Sequence, residues 1–490
     1  MASQLLESVG NKVQPSQHNK KGIGWRALPF LALAQFMVVL DGTIVNLALP
    51  RLQIEMGISD STRAWVVTAY ALVFGAFLLL GGRISDFWGR KRTFITASAG
   101  FAVASLIGGL AQQPWELLGA RALQGIFAAL LAPAALALLT VAFPGGKDRG
   151  TAFAIFGSIS GVGAAAGVLL GGFLTEFVSW RWCFFVNVPI AIIALIGVWT
   201  LVSESKAGGS TKYDWPGVVL AALGLGSLVY GFANAEHGWG AIESWGFIAT
   251  GALLLVLFVA VERKVKNPLL PLRVATERNR AAAFLASFLA GAVLIGGILF
   301  INFYLQIVLG FAPFAAGIAS LPMTVVLIIT AGLVAKNLPR LGARIPSALG
   351  PVFMAAATLW LTQVTPDGSY PINVLPALVL MGVGLGMVFV PMQNLALFGV
   401  DKDDSGVASA LVNASQQIGG SLGIALFSAI AAAATAVGGG TLAALTSGYS
   451  LVFLWAAVVA ILIAPIALLL IRIDRKTFSG TGDTPHIHLG

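Results

Sequence analysis

The chain has very little charge, one cysteine and four histidines in its 490 residues. Charged residues make up 10% of it, whereas a soluble domain carries about 25%, so an ordinary soluble protein is excluded. The single cysteine, Cys183, excludes an intramolecular disulfide and a cysteine metal site. No histidine lies in an apolar run, and there is no paired intramembrane acid or cofactor motif. We therefore expect neither an enzyme nor a bound metal or cofactor.

What the chain does have is apolar sequence, with 58% hydrophobic residues and a mean hydropathy of +0.90. Apolar runs of about 20 residues, the length of a helix that crosses a bilayer, recur from end to end. The sequence therefore predicts an all-α integral membrane protein with fourteen spans. The predicted spans are 27–48, 64–82, 93–112, 117–141, 151–175, 183–202, 216–235, 245–261, 281–309, 314–335, 345–363, 372–398, 406–433 and 449–471.

The spans fall into groups of six, two and six. We predict two six-helix bundles with two extra central transmembrane helices between them, an arrangement typical of transporters built from repeats. The predicted segments are a cytoplasmic tail 1–26, a first bundle 27–203, linkers with the two extra helices 204–280, a second bundle 281–471 and a cytoplasmic tail 472–490.

The distribution of basic residues predicts the orientation. Cytoplasmic loops collect Lys and Arg, and if the first residue lies inside, 25 of the 29 basic residues fall in inside segments. Both termini are then cytoplasmic. The first 26 residues lack the apolar core of a secretory signal. Because the basic residues are scattered over short loops, the net charge of +9 reflects topology and not nucleic-acid binding.

Asp41 is the one acid deep inside a predicted span, about 20 Å along its helix. A charge at that depth costs about 3 kcal/mol and usually faces a cavity, a partner or a proton path. We interpret Asp41 as a group that gains and loses a proton. The alternative is a permanent ion pair with Arg121, which shares a helix face with Gln124. Arg121 either senses the charge of Asp41 and relays protons, or only holds two spans together.

Three stretches resemble a known family: "LDGTIVNLALP", "GGRISDFWGRKR" and "ARALQGIFAALLAP". They are similar to motifs of the major facilitator superfamily, specifically its fourteen-helix drug:proton antiporter family, and the likeness covers nearly the whole chain. The resemblance implies that Asp41 is the protonatable residue that also helps to bind cationic substrates. It also implies that Arg121 takes part in proton transfer.

The loop after the second span, residues 82–91, matches the family's loop motif and is called the latch loop below. Phe87 replaces the first Arg of the motif. We expect Asp86 to lie against the positive end of a neighbouring helix dipole while Arg90 pairs nearby, so that both contacts break when the bundles rock. A simple positive-inside anchor is the alternative. The matching latch positions are Gly82, Asp86, Gly89, Arg90 and Lys91.

The fifth span is dense in glycine, which lets helices touch closely. The resemblance assigns this span to the antiporter signature, but Val168 stands where the family has a proline. Antiport and symport therefore both remain open. The predicted helix-packing residues are Gly163, Gly167, Gly171 and Gly172.

Polar side chains in other spans are candidates for lining a substrate cavity, with interhelical hydrogen bonds as the alternative for each. Together with Asp41 and Gln124, these candidates are Asn302, Gln306, Gln393, Asn394, Asn413 and Gln417.

We therefore expect a proton-driven secondary transporter of the plasma membrane that exports small hydrophobic or cationic compounds by alternating access. Its partners would be a small-molecule substrate, protons and membrane lipid, and it would act as a monomer. An exporter or proton symporter dedicated to one metabolite is the alternative. A channel is disfavoured, because the deep acid is single and not one of a ring of like charges.

Overall fold

The computed structural model describes residues 17–144, 146–206, 214–235, 241–265, 268–400, 405–437, 439 and 441–472. Within these ranges every regular element is helical, which confirms the predicted all-α fold. The long helices, in chain order, are α1 Gln17–Met56, α2 Asp60–Trp88, α3 Arg90–Leu110, α4 Pro114–Ala142, α5 Gly146–Phe177, α6 Trp182–Leu201, α7 Trp215–Asn234, α8 Ile242–Glu262, α9 Arg278–Val308, α10 Pro313–Leu341, α11 Arg344–Leu361, α12 Tyr370–Leu397, α13 Ser405–Val437 and α14 Leu442–Leu470.

Thirteen of these helices are long and apolar enough to cross a membrane by length and composition. The remaining helix, α11, has 18 residues and begins with a charged side chain, Arg344. It corresponds to the predicted span 345–363. The described part of the chain is therefore a multi-pass membrane protein with thirteen candidate spans and one further helix of borderline length.

The helices differ from the predicted spans mainly at their ends. Helix α1 begins at Gln17, inside the segment 1–26 that was predicted to be a tail, and α2 continues beyond residue 82 to Trp88. The physical reason is that hydropathy marks where a helix meets lipid, whereas backbone hydrogen bonding can continue into water. The helices therefore extend beyond the predicted spans at these ends, and the membrane boundaries themselves stay predictions.

Prolines divide two of the predicted spans. Helix α6 is interrupted at Val186, because Pro189 has no N–H for the carbonyl four residues earlier. Helix α14 is interrupted at Leu462, shortly before Pro465. In each case an αR residue joins the two pieces, and together they form one candidate span.

Helix α9 contains two π-helical turns, Ala292–Gly296 and Tyr304–Val308, and α12 begins with a third, Tyr370–Val374. Such turns insert an extra residue into the helix and are frequent at functional sites. Asn302 and Gln306, two of the cavity candidates, lie beside and within the second π-turn of α9.

The helices pack in two groups. In the first, α1 contacts α4, α5 and α6, while α2 and α3 both pack on α4; in the second, α12 contacts α9, α10 and α11, and α13 contacts α9 and α14. The groups meet along two seams, α2 with α13 and α5 with α10. Helices α7 and α8 form a hairpin, and α7 also contacts α2 and α13. The hairpin therefore lies beside one seam.

The two ends of the bundle are named here by residues: the Glu176 end, where α5 ends and α10 begins, and the Asp86 end, where α2 ends and α3 begins. At the Glu176 end the groups are in direct contact. The Phe314 N–H donates to Glu176 Oε2 at 2.9 Å, and the guanidinium carbon of Arg63 lies 3.8 Å from the centroid of the Phe303 ring.

The buried apolar side chains show the same asymmetry. One continuous cluster joins first-group side chains near the Glu176 end, such as Ile44 and Leu117, to buried side chains that run along the whole second group. Toward the Asp86 end, the buried side chains of the first group, including Phe94, Phe101 and Leu138, form a separate cluster that Ala414 of α13 joins. The two groups are therefore held together mainly at the Glu176 end.

The close contact of α1 and α5 depends on glycine. A Cβ at Gly171 would lie 2.4 Å from the Ile44 carbonyl oxygen, whereas a Cβ at Gly157 on the same helix would meet nothing within 4 Å. We expect Gly171→Ala to lower the free energy of unfolding in detergent by about 1–3 kcal/mol relative to Gly157→Ala, because the helices must separate. Both variants gain the same helix propensity, so equal stability of the two would contradict the close packing.

Candidate functional site

Asp41 lies at the centre of a buried hydrogen-bond network. It has no exposed surface. Its Oδ2 accepts from Arg121 Nη1 at 2.7 Å, and its Oδ1 accepts from Gln124 Nε2 at 2.9 Å and from Asn187 Nδ2 at 2.7 Å. All three donors are also buried. The carboxylate is thus paired with one cation and held by two amides.

The guanidinium of Arg121 is fixed from several sides. Its Nε donates to the Val66 carbonyl at 2.8 Å, and Nη1 also donates to Gln124 Oε1 at 2.8 Å. The guanidinium carbon lies 4.4 Å from the centroid of the Tyr70 ring, within the range of a cation–π contact. A buried cation is therefore compensated by a carboxylate, two oxygen acceptors and an aromatic face.

Five helices of the first group contribute to this network. Asp41 comes from α1, the Val66 carbonyl from α2, Ser105 from α3, Arg121 and Gln124 from α4, and Asn187 from α6. Helix α4 packs closely on α2 because Gly125 has no side chain: a Cβ there would lie 2.7 Å from the Tyr70 carbonyl oxygen. This close packing brings Arg121 within hydrogen-bond distance of the Asp41 carboxylate.

Asn187 and Ser105 were missed in the sequence analysis. Ser105 Oγ accepts from Gln124 Nε2 at 2.9 Å and so orients the amide that binds Asp41. Asn187 stands in the apolar stretch "FFVNVPIAIIALIG", and a search for lone amides in apolar runs would have found it. A serine in "FAVASLIG" gives no such signal, because it can satisfy its hydroxyl within its own helix.

The other cavity candidates lie in the second group and make contacts of a different kind. Asn302 is buried, and its Oδ1 accepts from Ser320 Oγ at 3.4 Å. Gln306 Nε2 is buried without a hydrogen-bond partner among the described residues. Asn394 and Asn413 are exposed, and each donates to a carbonyl of its own helix.

Gln393 and Gln417 are both half-buried. Gln417 lies at the seam of α2 and α13, where its Cβ would contact a side chain placed at Gly75. The structure therefore brings Asp41, Arg121 and Gln124 into one network and leaves the second-group candidates with separate local contacts. Their role in substrate binding stays a prediction.

The predicted helix-packing glycines all face close neighbours. Three of them lie against α1 next to Asp41: a Cβ at Gly163 would meet Val39 at 3.2 Å, one at Gly167 would overlap Thr43, and one at Gly171 would overlap the Ile44 carbonyl. A Cβ at Gly172 would instead lie 2.6 Å from the Pro313 carbonyl oxygen of α10. Helix α5 thus contacts the helix that carries Asp41 and also the second group.

In the latch loop, Arg90 and Asp86 form an ion pair, with Nη2 2.9 Å from Oδ1. The Cβ of a residue at Gly82 would meet only the Pro133 side chain, at 3.9 Å. Lys91 Nζ donates to the Trp199 carbonyl at 2.7 Å. The loop therefore ties the ends of α2 and α3 to the end of α6.

A different acid occupies the amino end of α3. Glu204 accepts from the backbone N–H groups of Lys91 at 3.1 Å and Arg92 at 3.0 Å, where a negative charge also favours the helix dipole. Gly89 makes room for the Glu204 side chain, because a Cβ at Gly89 would lie 2.7 Å from the Glu204 carboxyl carbon. The φ of Gly89 is +128°, which also favours glycine. Glu204 was not among the predicted site residues, since an acid is common in a polar loop.

The geometry fits both expectations for Asp41: a permanent ion pair with Arg121, and a carboxyl group that binds and releases a proton. An ionised Asp41 can accept all three donors at once, whereas a protonated Asp41 carries an O–H that needs an acceptor of its own and accepts more weakly from Arg121 and the amides. A proton on Asp41 would therefore weaken the links among α1, α4 and α6. Within the described ranges, no three His, Cys, Asp or Glu side chains are grouped to hold a metal ion.

Residues 31–424 match the profile of the Major Facilitator Superfamily. A puromycin resistance protein of Streptomyces alboniger is 43% identical over 94% of this chain and 93% of its own length. A cephamycin export protein of Amycolatopsis lactamdurans is 36% identical over 97% and 98%. A tetracenomycin C resistance and export protein of Streptomyces glaucescens is 34% identical over 84% and 77%.

Solved structures of low sequence identity share the fold. A nucleoside transporter superposes with a TM-score of 0.64 at 12% identity, covering 92% of this chain and all of that chain. A bacterial homologue of the lysosomal transporter Spinster superposes with a TM-score of 0.63 at 17% identity, covering 93% and 97%. At these identities the comparison supports the arrangement of helices only.

We expect Asn187→Ala to lower the free energy of unfolding by about 1–3 kcal/mol, because Asp41 Oδ1 loses a buried donor. Chemical unfolding of the purified protein in detergent measures this. Ile192→Ala, on the exposed face of the same helix, is the matched control and should change stability by less than about 0.5 kcal/mol. If both variants unfold alike, Asn187 does not hold the carboxylate.

We expect Glu204→Ala to raise hydrogen exchange at the start of α3, by an amount corresponding to about 0.5–2 kcal/mol of local stability, because two backbone donors lose their acceptor. Glu204→Gln should lose less protection from exchange, because the side chain keeps an acceptor oxygen. Only the interaction of its charge with the helix dipole is removed. Lys206→Ala, an exposed neighbour, is the control. Unchanged exchange in Glu204→Ala would mean that the cap does not stabilise α3.

Proposed function

Because the chain belongs to the Major Facilitator Superfamily, we propose that it is a proton-coupled secondary active transporter that exports small hydrophobic or cationic compounds. It is a multi-pass transporter of the plasma membrane and not an enzyme. The proposal includes fourteen spans with both termini in the cytoplasm, so that the Asp86 end faces inward and the Glu176 end faces outward. We also propose that the protein acts as a monomer surrounded by membrane lipid.

The observation that carries the proposal is the buried network around Asp41. One carboxyl group, 0% exposed, links α1, α4 and α6 through three donors. A proton that reaches Asp41 weakens those links and favours a different packing of the helices. In the ionised state the same carboxylate offers a negative charge to a cationic substrate once Arg121 is drawn away.

The contacts between the two groups support alternating access. They are concentrated at the Glu176 end, through Glu176 with Phe314 and Arg63 with Phe303. A transporter closed at this end would open toward the Asp86 end, where the latch loop ties α2, α3 and α6 together. Rocking of the second group on the first would then exchange the open and closed ends.

The proton gradient is large enough for export. One proton that crosses 100 mV releases about 2.3 kcal/mol, and one pH unit adds about 1.4 kcal/mol. Together they correspond to about 500-fold accumulation of a neutral substrate. A single protonatable carboxyl group, Asp41, is therefore sufficient in principle.

A second candidate is an exporter or proton symporter dedicated to one compound. The names of the three relatives described above favour it, because they refer to single antibiotics: puromycin, cephamycin and tetracenomycin C. Val168, in place of the signature proline, leaves the direction of coupling open. Transport assays with puromycin, a β-lactam and a panel of cationic dyes separate a dedicated exporter from one of broad specificity.

We expect Asp41→Asn to reduce proton-driven transport in vesicles at least about tenfold, which corresponds to about 1.4 kcal/mol, because the side chain no longer exchanges a proton. The measurement is puromycin or dye movement against its gradient under an imposed pH difference. Downhill counterflow, which needs no proton, should be retained if the variant is folded.

Asp367→Asn, at an exposed loop position, is the matched control and should transport like the wild type. Proton-driven transport that survives in Asp41→Asn would remove Asp41 from proton coupling. Loss of both transport and counterflow in a folded variant would instead assign Asp41 to substrate binding.

A further inference from the structure

Two buried carboxyl groups lie at the base of the α7–α8 hairpin, away from the Asp41 network. Asp214 precedes α7 and is 6% exposed, and Glu262 ends α8 and is 3% exposed. Each uses one oxygen as an acceptor. The Gly217 N–H donates to Asp214 Oδ1 at 2.9 Å, and the Leu270 N–H donates to Glu262 Oε2 at 2.9 Å. Their second oxygens are left for another partner.

These second oxygens, Asp214 Oδ2 and Glu262 Oε1, are buried and have no hydrogen-bond partner among the described residues. They converge on one point. A Cβ at Gly217 would lie 2.4 Å from Asp214 Oδ2 and 2.6 Å from Glu262 Oε1. Ionised carboxylates are acceptors only, and two of them that face each other in a buried site repel strongly. The two oxygens therefore lack a hydrogen-bond donor between them.

The surrounding charges do not supply that donor. On α2, the Arg83 Nη2 donates instead to the Pro268 carbonyl at 3.0 Å. Arg263 and Lys264, which follow Glu262 directly, are exposed. Within the described ranges, no cation therefore pairs with the two free oxygens. A single hydrogen between them would satisfy both, because a carboxyl O–H on one acid donates to the carboxylate oxygen of the other.

We propose that Asp214 and Glu262 form a second proton-binding site, in which one proton is shared between Asp214 Oδ2 and Glu262 Oε1. A hydronium ion at the Asp86 end supplies the proton: one of its O–H bonds breaks and leaves water, and one O–H bond to a carboxylate oxygen forms. The pair then carries one negative charge in place of two. This site does not depend on the transport function proposed for Asp41.

The shared proton fixes the hairpin to the end of α2. The Leu270 N–H binds Glu262, and neighbouring Leu269 packs in a buried cluster with Leu80 of α2 and Val218 of α7. Arg83, inside the latch loop, holds the same segment through the Pro268 carbonyl. Loss of the proton leaves two charges facing each other and loosens this attachment.

Hydrogen exchange of the full-length protein in detergent tests the proposal. The attached state holds a proton that the opened state releases, so stability of the attachment falls as the pH rises. After correction for intrinsic exchange, peptides that contain Gly217 and Leu270 should lose protection by up to about tenfold per pH unit between about pH 5 and pH 9. A wild-type profile independent of pH overturns the proposal.

Glu262→Gln supplies the missing N–H donor permanently and should keep protection at every pH. Asp214→Asn does the same from the other side and serves if the first variant does not fold. Glu243→Gln, an exposed acid at the opposite end of the hairpin, is the matched control and should keep the wild-type profile. If both amide variants retain that profile as well, the pair does not hold the proton.

A metal cation is the competing occupant. Replacement of sodium and potassium by choline at constant pH should leave protection unchanged if a proton fills the site. Protection that is lost on this replacement and restored by adding back one metal ion overturns the proton assignment. Because the readout is exchange and not transport, failure of this proposal is distinguishable from failure of the Asp41 mechanism.

Discussion

The structure of the first group depends on the compensation of one carboxylate in an environment without water. A charge in the hydrocarbon region costs about 3 kcal/mol even when the helix can adjust, and Asp41 has no exposed surface. Arg121, Gln124 and Asn187 supply the compensation. Because these donors come from two other helices, α4 and α6, the need to bind Asp41 fixes how α1, α4 and α6 pack. Close packing in turn requires small residues such as Gly125.

The same physics explains which parts of the site the sequence could predict. A charge in an apolar run is conspicuous, so Asp41 and Arg121 were found from the sequence and by resemblance. An amide such as Asn187 costs far less in a helix bundle and gains only about 0.6 kcal/mol from an average interhelical hydrogen bond. Functional and structural amides therefore look alike in sequence. Glu204 was missed for the opposite reason, because acids are normal in polar loops.

For the fold, the order of the long helices followed from apolar length alone, and the resemblance to the superfamily is confirmed. Thirteen of the fourteen predicted spans correspond to described helices that are long and apolar enough to cross a membrane, and the count of fourteen stays a prediction. Local backbone features did not follow. Hydropathy does not detect the π-turns of α9, Ala292–Gly296 and Tyr304–Val308, since an average over apolar residues carries no information on which carbonyl each backbone N–H binds. The division of α6 could have been predicted from Pro189. A criterion that counts only apolar residues does not register this proline.

The position of the α7–α8 hairpin indicates which of the two helix groups it moves with. A buried cluster joins Leu72 of α2, Val229 of α7 and Ala425 of α13, so α7 contacts both groups at once. At its base the hairpin is attached to α2 through Glu262 and the segment that Arg83 holds. In the rocking motion proposed above, α7 cannot keep both contacts. The side attached to α2 has hydrogen bonds to lose, whereas the side against α13 is apolar and can slide, so the hairpin should move with the first group.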